Sequence, residues 1–346
     1  MLRGLGFLGC IVVLGGQVCA EPQKTALDIA LPTANDAIYR HDGAAFYQHI
    51  ERDYKGAIST PWEGGHYGFV RDPIETSKGL VYTRFHEGID IRPLNRDSAG
   101  EPTDEIHAIA AGKVVHVNPV PGYSNYGRYI VIEHEWGGSN YYSLYGHLSV
   151  IRVSAEQNVA KGDVIAVMGH TGAGINLERS HVHLELNLML SHHFQAWYDK
   201  YSKKDPNHNG IYNGINLTGI NIARLYLALQ KDPGLTIPKF LEDEEVFFKV
   251  TVPKSKNFEL ARAYPWMARG EVKNSDPSWE VSFERSGVPL QVRSSNVAVR
   301  EPTLTFIKKS TVDYRYLTRE QITGRDGRGS FTKAGSQMME LLSFQN

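Results

Sequence analysis

Between residues 61 and 190 the chain is cut by glycine into short β-type runs: "GLVYTRF", "GKVVHVN", "GRYIVIEHE", "SNYYSLYGHLSVIRV", "DVIAVMG" and "HVHLELNLML". Runs this short, rich in β-branched and aromatic residues and poor in helical periodicity, restrict the region to an antiparallel β-sandwich or barrel-like fold. In the last run Val182, Leu184 and Leu186 alternate with His181, His183 and Glu185. That is the period of a strand, and it sends both imidazoles to one face.

The flanks read differently. "DGAAFYQHIERDY" sets Phe46, Ile50 and Tyr54 at helical spacing and predicts one short packed helix in an N-terminal segment, residues 21–60. Residues 203–214 are a turn-rich connector, and Ile222, Leu225, Tyr226 and Leu229 form the stripe of a helix that Asp232-Pro233-Gly234 ends. Then come the strand "VFFKVTV", a hairpin of "WEVSFER" and "VPLQVR" across Ser286-Gly287, and a final helix over 333–344. These elements predict a separate α+β or β accessory domain over 196–346, with no recognisable chemistry.

Residues 1–20 read as a secretory signal peptide: Arg3, an uncharged Gly/Leu/Val-rich run, then Val18-Cys19-Ala20 before Glu21. Both cysteines, Cys10 and Cys19, lie in that leader, so the mature chain would carry no disulfide and would rely on its core. A 41% hydrophobic and 22% charged composition is that of a folded soluble protein. The net charge of −1 gives no general pull toward nucleic acid or an anionic membrane surface. No stable membrane span is expected after cleavage.

Three places concentrate chemistry. "FHEGIDI" supplies His86 and Asp90, "LYGHLS" supplies His147, and "SHVHLEL" supplies His181 and His183. Two imidazoles and a carboxylate make a tridentate set for zinc with a fourth position left for water, and five candidate groups leave two to handle protons. Each piece alone is weak, since an H-x-H on a strand is more often a solvated face or a satisfied core pair. Gly88 lets the chain bend between His86 and Asp90. An iron oxygenase or cupin would leave His147 and the H-x-x-x-D run unexplained.

The ordered motifs "HEGIDI", "AIAAGKVVHV", "YGRYIVIEHE", "YSLYGHLS", "VAKGDVIAVMGHTGAG" and "HVHLEL" resemble the lysostaphin/LytM-type zinc metallopeptidases, which cut peptidoglycan cross-bridges. The resemblance implies an antiparallel β catalytic domain over residues 61–195, the duplicated hybrid motif, with a groove across one sheet. It implies His86, Asp90 and His183 as ligands of one Zn2+ and His147 and His181 as the unliganded catalytic pair, leaving open which is the base. The implied activity is a zinc-activated water hydrolysing peptide cross-links of peptidoglycan, in an exported, periplasmic or extracellular protein associated with the cell wall. The other reading is a non-catalytic wall-binding or regulatory module using the same groove. Departures are a polar insertion "RPLNRDSAGEPTDEIH" after "GIDI" and the run Gly68-Phe69-Val70-Arg71, with two residues in the other order from the family's Phe-Gly-x-Arg. Tyr82 is read as an aromatic on a strand ahead of a possible oxyanion donor, Glu133, Glu178 and Glu185 as nearby acceptors, and Asn35 as a packing residue ahead of a groove plug.

Overall fold

Apolar alternation builds one large antiparallel sheet in the computed structural model, which describes residues 26–48, 53–54, 57–58 and 61–344. The leader expected over 1–20, and Ile50 of the expected helix, lie outside those residues. A hairpin of β1 (Gly68–Thr76) and β2 (Gly79–His86) leads into β3 (Ile89–Ile91). The sheet itself runs in the order Asn158–Val159, β4 (Gly112–Asn118), β5 (Tyr129–Trp136), β6 (Ser139–Gly146), β7 (Val182–Met189) and β8 (Leu217–Gly219). β3 and β8 share the edge of β7 opposite β6, β3 against residues 182–184 and β8 against 187–189. A second, three-stranded antiparallel sheet joins Val150–Ile151, Val164–Val167 and Glu105–His107. The fold is thus mainly β and antiparallel as expected, and its large sheet stays open rather than closing into a barrel.

One face of the large sheet makes the main core. Ile130 and Ile132, Tyr141 and Tyr145, and Leu184, Leu186 and Leu188 have no solvent exposure and pack in one cluster. Full burial of each such side chain stabilises by about 1.5–3 kcal/mol. The same cluster takes in Phe248, Val250, Val281 and Phe283 of a four-stranded antiparallel sheet in the C-terminal part. There the expected hairpin forms between Ser278–Phe283 and Pro289–Ser295, and the expected helices run over Ile222–Lys231 and Lys333–Leu341. No helix among the described residues is long and apolar enough to cross a membrane.

The N-terminal helix is shorter than its spacing predicts. It covers Gly43–Phe46, and the chain then turns extended, with Tyr47 bridged to Ile91, Gln48 N donating to Asp90 O at 2.8 Å and Arg92 N to Phe46 O at 3.0 Å. Backbone pairing along β3 takes the donors and acceptors a longer helix would need, and Tyr54 lies in a two-residue strand, Asp53–Tyr54. Asn35 is buried and structural: its amide donates to Ala45 O and Arg92 O, and its oxygen accepts from Ala37 N.

Gly219 of β8 faces Asn187 and runs so close to the turn after β2 that a Cβ would stand 2.1 Å from Glu87 O. Gly219→Ala is therefore expected to destabilise the fold by about 1–3 kcal/mol, the usual cost of overpacking. Urea unfolding measures this, and an unchanged midpoint would show that β8 has room to retreat.

Candidate metal centre

Register brings the predicted residues together. His183 of β7 lies directly opposite Asp90 of β3 on one side and Gly146 of β6 on the other, and His86 ends β2 four residues before Asp90. His86 Nε2 is 3.0 Å from His183 Nδ1 and 3.1 Å from Asp90 Oδ1, and His183 Nδ1 is 2.9 Å from Asp90 Oδ1. Among the described residues this is the group of histidine and carboxylate side chains close enough together to hold a metal ion, and all three are buried.

The atoms pointing away from this triangle fix the protonation of those pointing in. His86 Nδ1 donates to His66 O at 2.7 Å, and His183 Nε2 donates to Glu185 Oε1 at 2.8 Å, because a carbonyl and a carboxylate can only accept. Asp90 Oδ2 accepts from Arg71 Nη2 at 2.7 Å. What remains inside is a nitrogen lone pair from each imidazole and a carboxylate oxygen, three acceptors at mutual hydrogen-bond distance. A cation satisfies that arrangement, and outer hydrogen bonds of this kind orient the ligands of zinc sites. The residues present therefore fit a cation held by three protein ligands.

The same geometry shapes the proton affinities. Burial alone would raise the Asp90 carboxyl, but His181, His86 and Arg71 outweigh it and hold it well below the carboxylate range. Burial lowers His86. Burial also works against a charged His183, yet the hydrogen bonds to Asp90 and Glu185 push it up to about 10, so without a cation a proton takes the central place. Glu185 has no solvent exposure and accepts from His183, Tyr126 Oη at 2.8 Å and Asn187 Nδ2 at 2.9 Å, which together hold its carboxyl down against burial.

His147 and His181 sit beside the triangle, ring centroids 4.6 Å apart and edge to face. His181 Nδ1 donates to Arg179 O at 2.6 Å, and its Nε2 lies 3.3 Å from Asp90 Oδ1. His147 Nδ1 donates to Thr171 O at 2.7 Å, which leaves Nε2 as the basic atom. Burial, then repulsion from His181 and His183, keeps His147 well below the usual imidazole range. His147 also adopts φ 61°, a left-handed conformation that costs a non-glycine residue about 1–3 kcal/mol and clusters at functional sites. Its backbone N–H donates to Tyr126 O at 2.7 Å.

Several supporting residues escaped the sequence reading. The run Gly68-Phe69-Val70-Arg71 stood there only as a departure from the family pattern; here its arginine holds the outer oxygen of Asp90. Of the three acidic residues named as acceptors, Glu185 is the one that binds a ring, while Glu178 contributes a backbone carbonyl to Arg96 and Gln48. Tyr126 and Asn187 carried no spacing signal at all. Gly88 matters for proximity rather than bending, since a Cβ there would meet Leu184 O at 2.3 Å. Tyr82 lies half-buried on β2, four residues, or about 13 Å of extended chain, before His86.

The large open antiparallel sheet thus carries a buried His-Asp-His cluster with two further histidines adjoining it. Residues 84–195, which hold all five of these side chains, match the model of peptidase family M23, so the chain resembles the lysostaphin/LytM-type peptidases over that stretch. Solved structures similar to the chain include the catalytic domain of a point mutant of the prophage-encoded M23 protein EnpA from Enterococcus faecalis, 24% identical over 41% of this chain and 86% of that one, with a TM-score of 0.26. The catalytic domain of the antimicrobial peptidase lysostaphin from Staphylococcus simulans is 26% identical over 37% of this chain and 84% of that one, TM-score 0.25. A zinc containing peptidase from Vibrio cholerae is 28% identical over 41% of this chain and 36% of that one, TM-score 0.26. No curated protein matches the chain.

Glu185→Gln removes the charge that orients the His183 ring while keeping its shape. Zinc affinity, measured by competition with a chromophoric chelator, is expected to fall roughly 10–100-fold. Wild-type affinity would show that the ring is held by packing alone.

Proposed function

We propose that the protein is an exported zinc-dependent endopeptidase that hydrolyses peptide cross-links of peptidoglycan. The observation that carries this reading is the convergence of a ring nitrogen from His86, a ring nitrogen from His183 and a carboxylate oxygen of Asp90, each with its outer atom tied, beside the rings of His147 and His181. In this reading His86, Asp90 and His183 hold one zinc ion, which supplies Lewis acidity to a water and to the scissile carbonyl. His147 and His181 do the proton work. Each is held by Nδ1–H on a backbone carbonyl, so each presents Nε2 as the atom that accepts a proton from the attacking water and later returns it to the leaving amine. Once protonated, the same Nε2–H donates to the developing oxyanion.

The surrounding residues serve this chemistry by position. Arg71 neutralises Asp90, Glu185 aims His183, and burial of all five site side chains to 8% exposure or less strengthens every electrostatic contact among them. The peptidoglycan substrate and a catalytic domain over 61–195 are parts of the same proposal, supported by the M23 match to residues 84–195; export by a leader over 1–20 and an accessory region over 196–346 belong to it as well. The filled set of five positions weighs against a purely non-catalytic wall-binding module.

Purified peptidoglycan incubated with the zinc-loaded mature chain should release fragments cut at stem-peptide cross-links, identified by mass spectrometry, and a chelator should stop the release. His183→Ala should lose zinc and activity together. His181→Ala should keep most of the zinc and lose roughly 10²–10⁴-fold in rate. Equal zinc loss in both variants, or release indifferent to chelator, would overturn the assignment.

Metal binding must also displace the proton that His183 holds up to about pH 10. Because that proton is bound throughout neutral pH and must leave, zinc affinity should rise about tenfold per pH unit between about pH 6 and 8. Isothermal titration across that range checks it; a flat profile would mean that His183 is not a ligand.

A further inference from the structure

The sheet face that bears His183 is not open along its length. Alternation sends His183, Glu185, Asn187 and Met189 to this face, and register sets Gly146, Leu144 and Tyr142 of β6 and Val131 of β5 beside them. There Tyr129, Val131, Tyr142, Leu144, Met189 and Leu217 form an apolar cluster separate from the main core, each at most 4% exposed. What covers it is the connector after β7, through Ile211 and Tyr212, together with Tyr126.

That cover is pinned down by polar contacts. Tyr129 Oη donates to Tyr212 O at 3.1 Å, and Asn209 Nδ2 donates to Tyr123 O at 3.0 Å while its Oδ1 lies 3.2 Å from His116 Nε2. Asn216, with no solvent exposure, donates to Ser191 O and Ile211 O and accepts from Ser191 N. Lifting the segment would break these bonds and return six apolar side chains to water, so it is a wall and not a lid.

The wall reaches almost to the candidate metal centre. Gly214 lies against the Tyr126 ring, where a Cβ would stand 2.5 Å from the hydroxyl oxygen. That ring is 5.4 Å from the His183 ring, centroid to centroid. The covered area begins at Glu185, two residues along β7 from His183, or about 7 Å at a strand's rise of ~3.3 Å per residue. An extended peptide lying along β7 from His183 would meet residues 207–216 after about two residues.

We propose that residues 207–216 are a specificity element that closes one end of the groove, so that the site takes peptides whose chain stops within about two residues of the cleaved bond on that side. Branched stem-peptide cross-links with a nearby free end fit such a groove; long unbroken bridges and protein chains do not. This rests on the peptidase reading above.

The test uses the zinc-loaded full chain and synthetic peptides built around the bond cut in peptidoglycan, lengthened one residue at a time on either side. On one side, extension past about two residues should lower kcat/KM at least about tenfold, while extension on the other side changes it less than about threefold. The double variant Ile211→Ala with Tyr212→Ala, checked for wild-type circular dichroism and zinc content, should raise the long-to-short ratio of kcat/KM at least about tenfold. Equal cleavage of all lengths by the wild type overturns the wall, and this series decides alone if the variant misfolds. A folded, zinc-loaded variant with an unchanged ratio also overturns it. Cleavage of neither peptidoglycan nor any peptide sinks the peptidase reading, and the wall's role with it.

Discussion

The antiparallel register between Ile89–Ile91 and Val182–Met189 sets His183 across from Asp90, and the candidate centre exists because of that pairing. Side chains in a strand alternate faces, so a slip of one residue would send His183 into the core and bring Leu184 to the groove. Both edges of that choice are guarded. Leu184, Leu186 and Leu188 are fully buried on the far face, and Gly88 and Gly219 let neighbouring backbone approach where any side chain would collide. Stability of the core and geometry of the site are therefore one constraint, set by the apolar alternation of a single strand.

Within that frame the electrostatics are arranged in two shells of opposite demand. The inner atoms of His86, Asp90 and His183 are all acceptors, and each outer atom meets a fixed partner: a carbonyl, a guanidinium and a carboxylate. Buried charges are tolerated when paired and hydrogen-bonded, and here Arg71 with Asp90 and Glu185 with His183 provide that pairing. The C-terminal part joins the same network. Arg319 pairs with Glu87, next in the chain to His86, and its guanidinium lies 5.1 Å from the Phe85 ring centroid, so the region after β8 braces the strand that delivers a site histidine.

Much of the fold was legible because its signals are local. Six glycine-bounded runs predicted strands that formed, the stripe from Ile222 to Leu229 predicted its helix, and Ser286-Gly287 predicted its hairpin. The spacing of Phe46, Ile50 and Tyr54 misled, because pairing with Ile89–Ile91 competes for the same backbone groups and no local pattern announces it. The connector was equally opaque: its turn residues read as a loop, while Ile211 and Tyr212 cover a sheet face.

By itself the sequence determined which side chains were available and on which face of a strand they stand, since composition and period are properties of neighbouring residues. It named His86, Asp90, His147, His181 and His183 before any coordinate. Tertiary structure alone decided that His183 turns Nδ1 inward, that Arg71 holds Asp90, that Tyr126 reaches Glu185, and that Ile211 and Tyr212 cover the apolar part of the sheet face. The physical reason is range. His86 and His183 meet across 97 residues, and Tyr126 and Glu185 across 59, so their contacts depend on how sheets close rather than on any pattern a strand carries along itself.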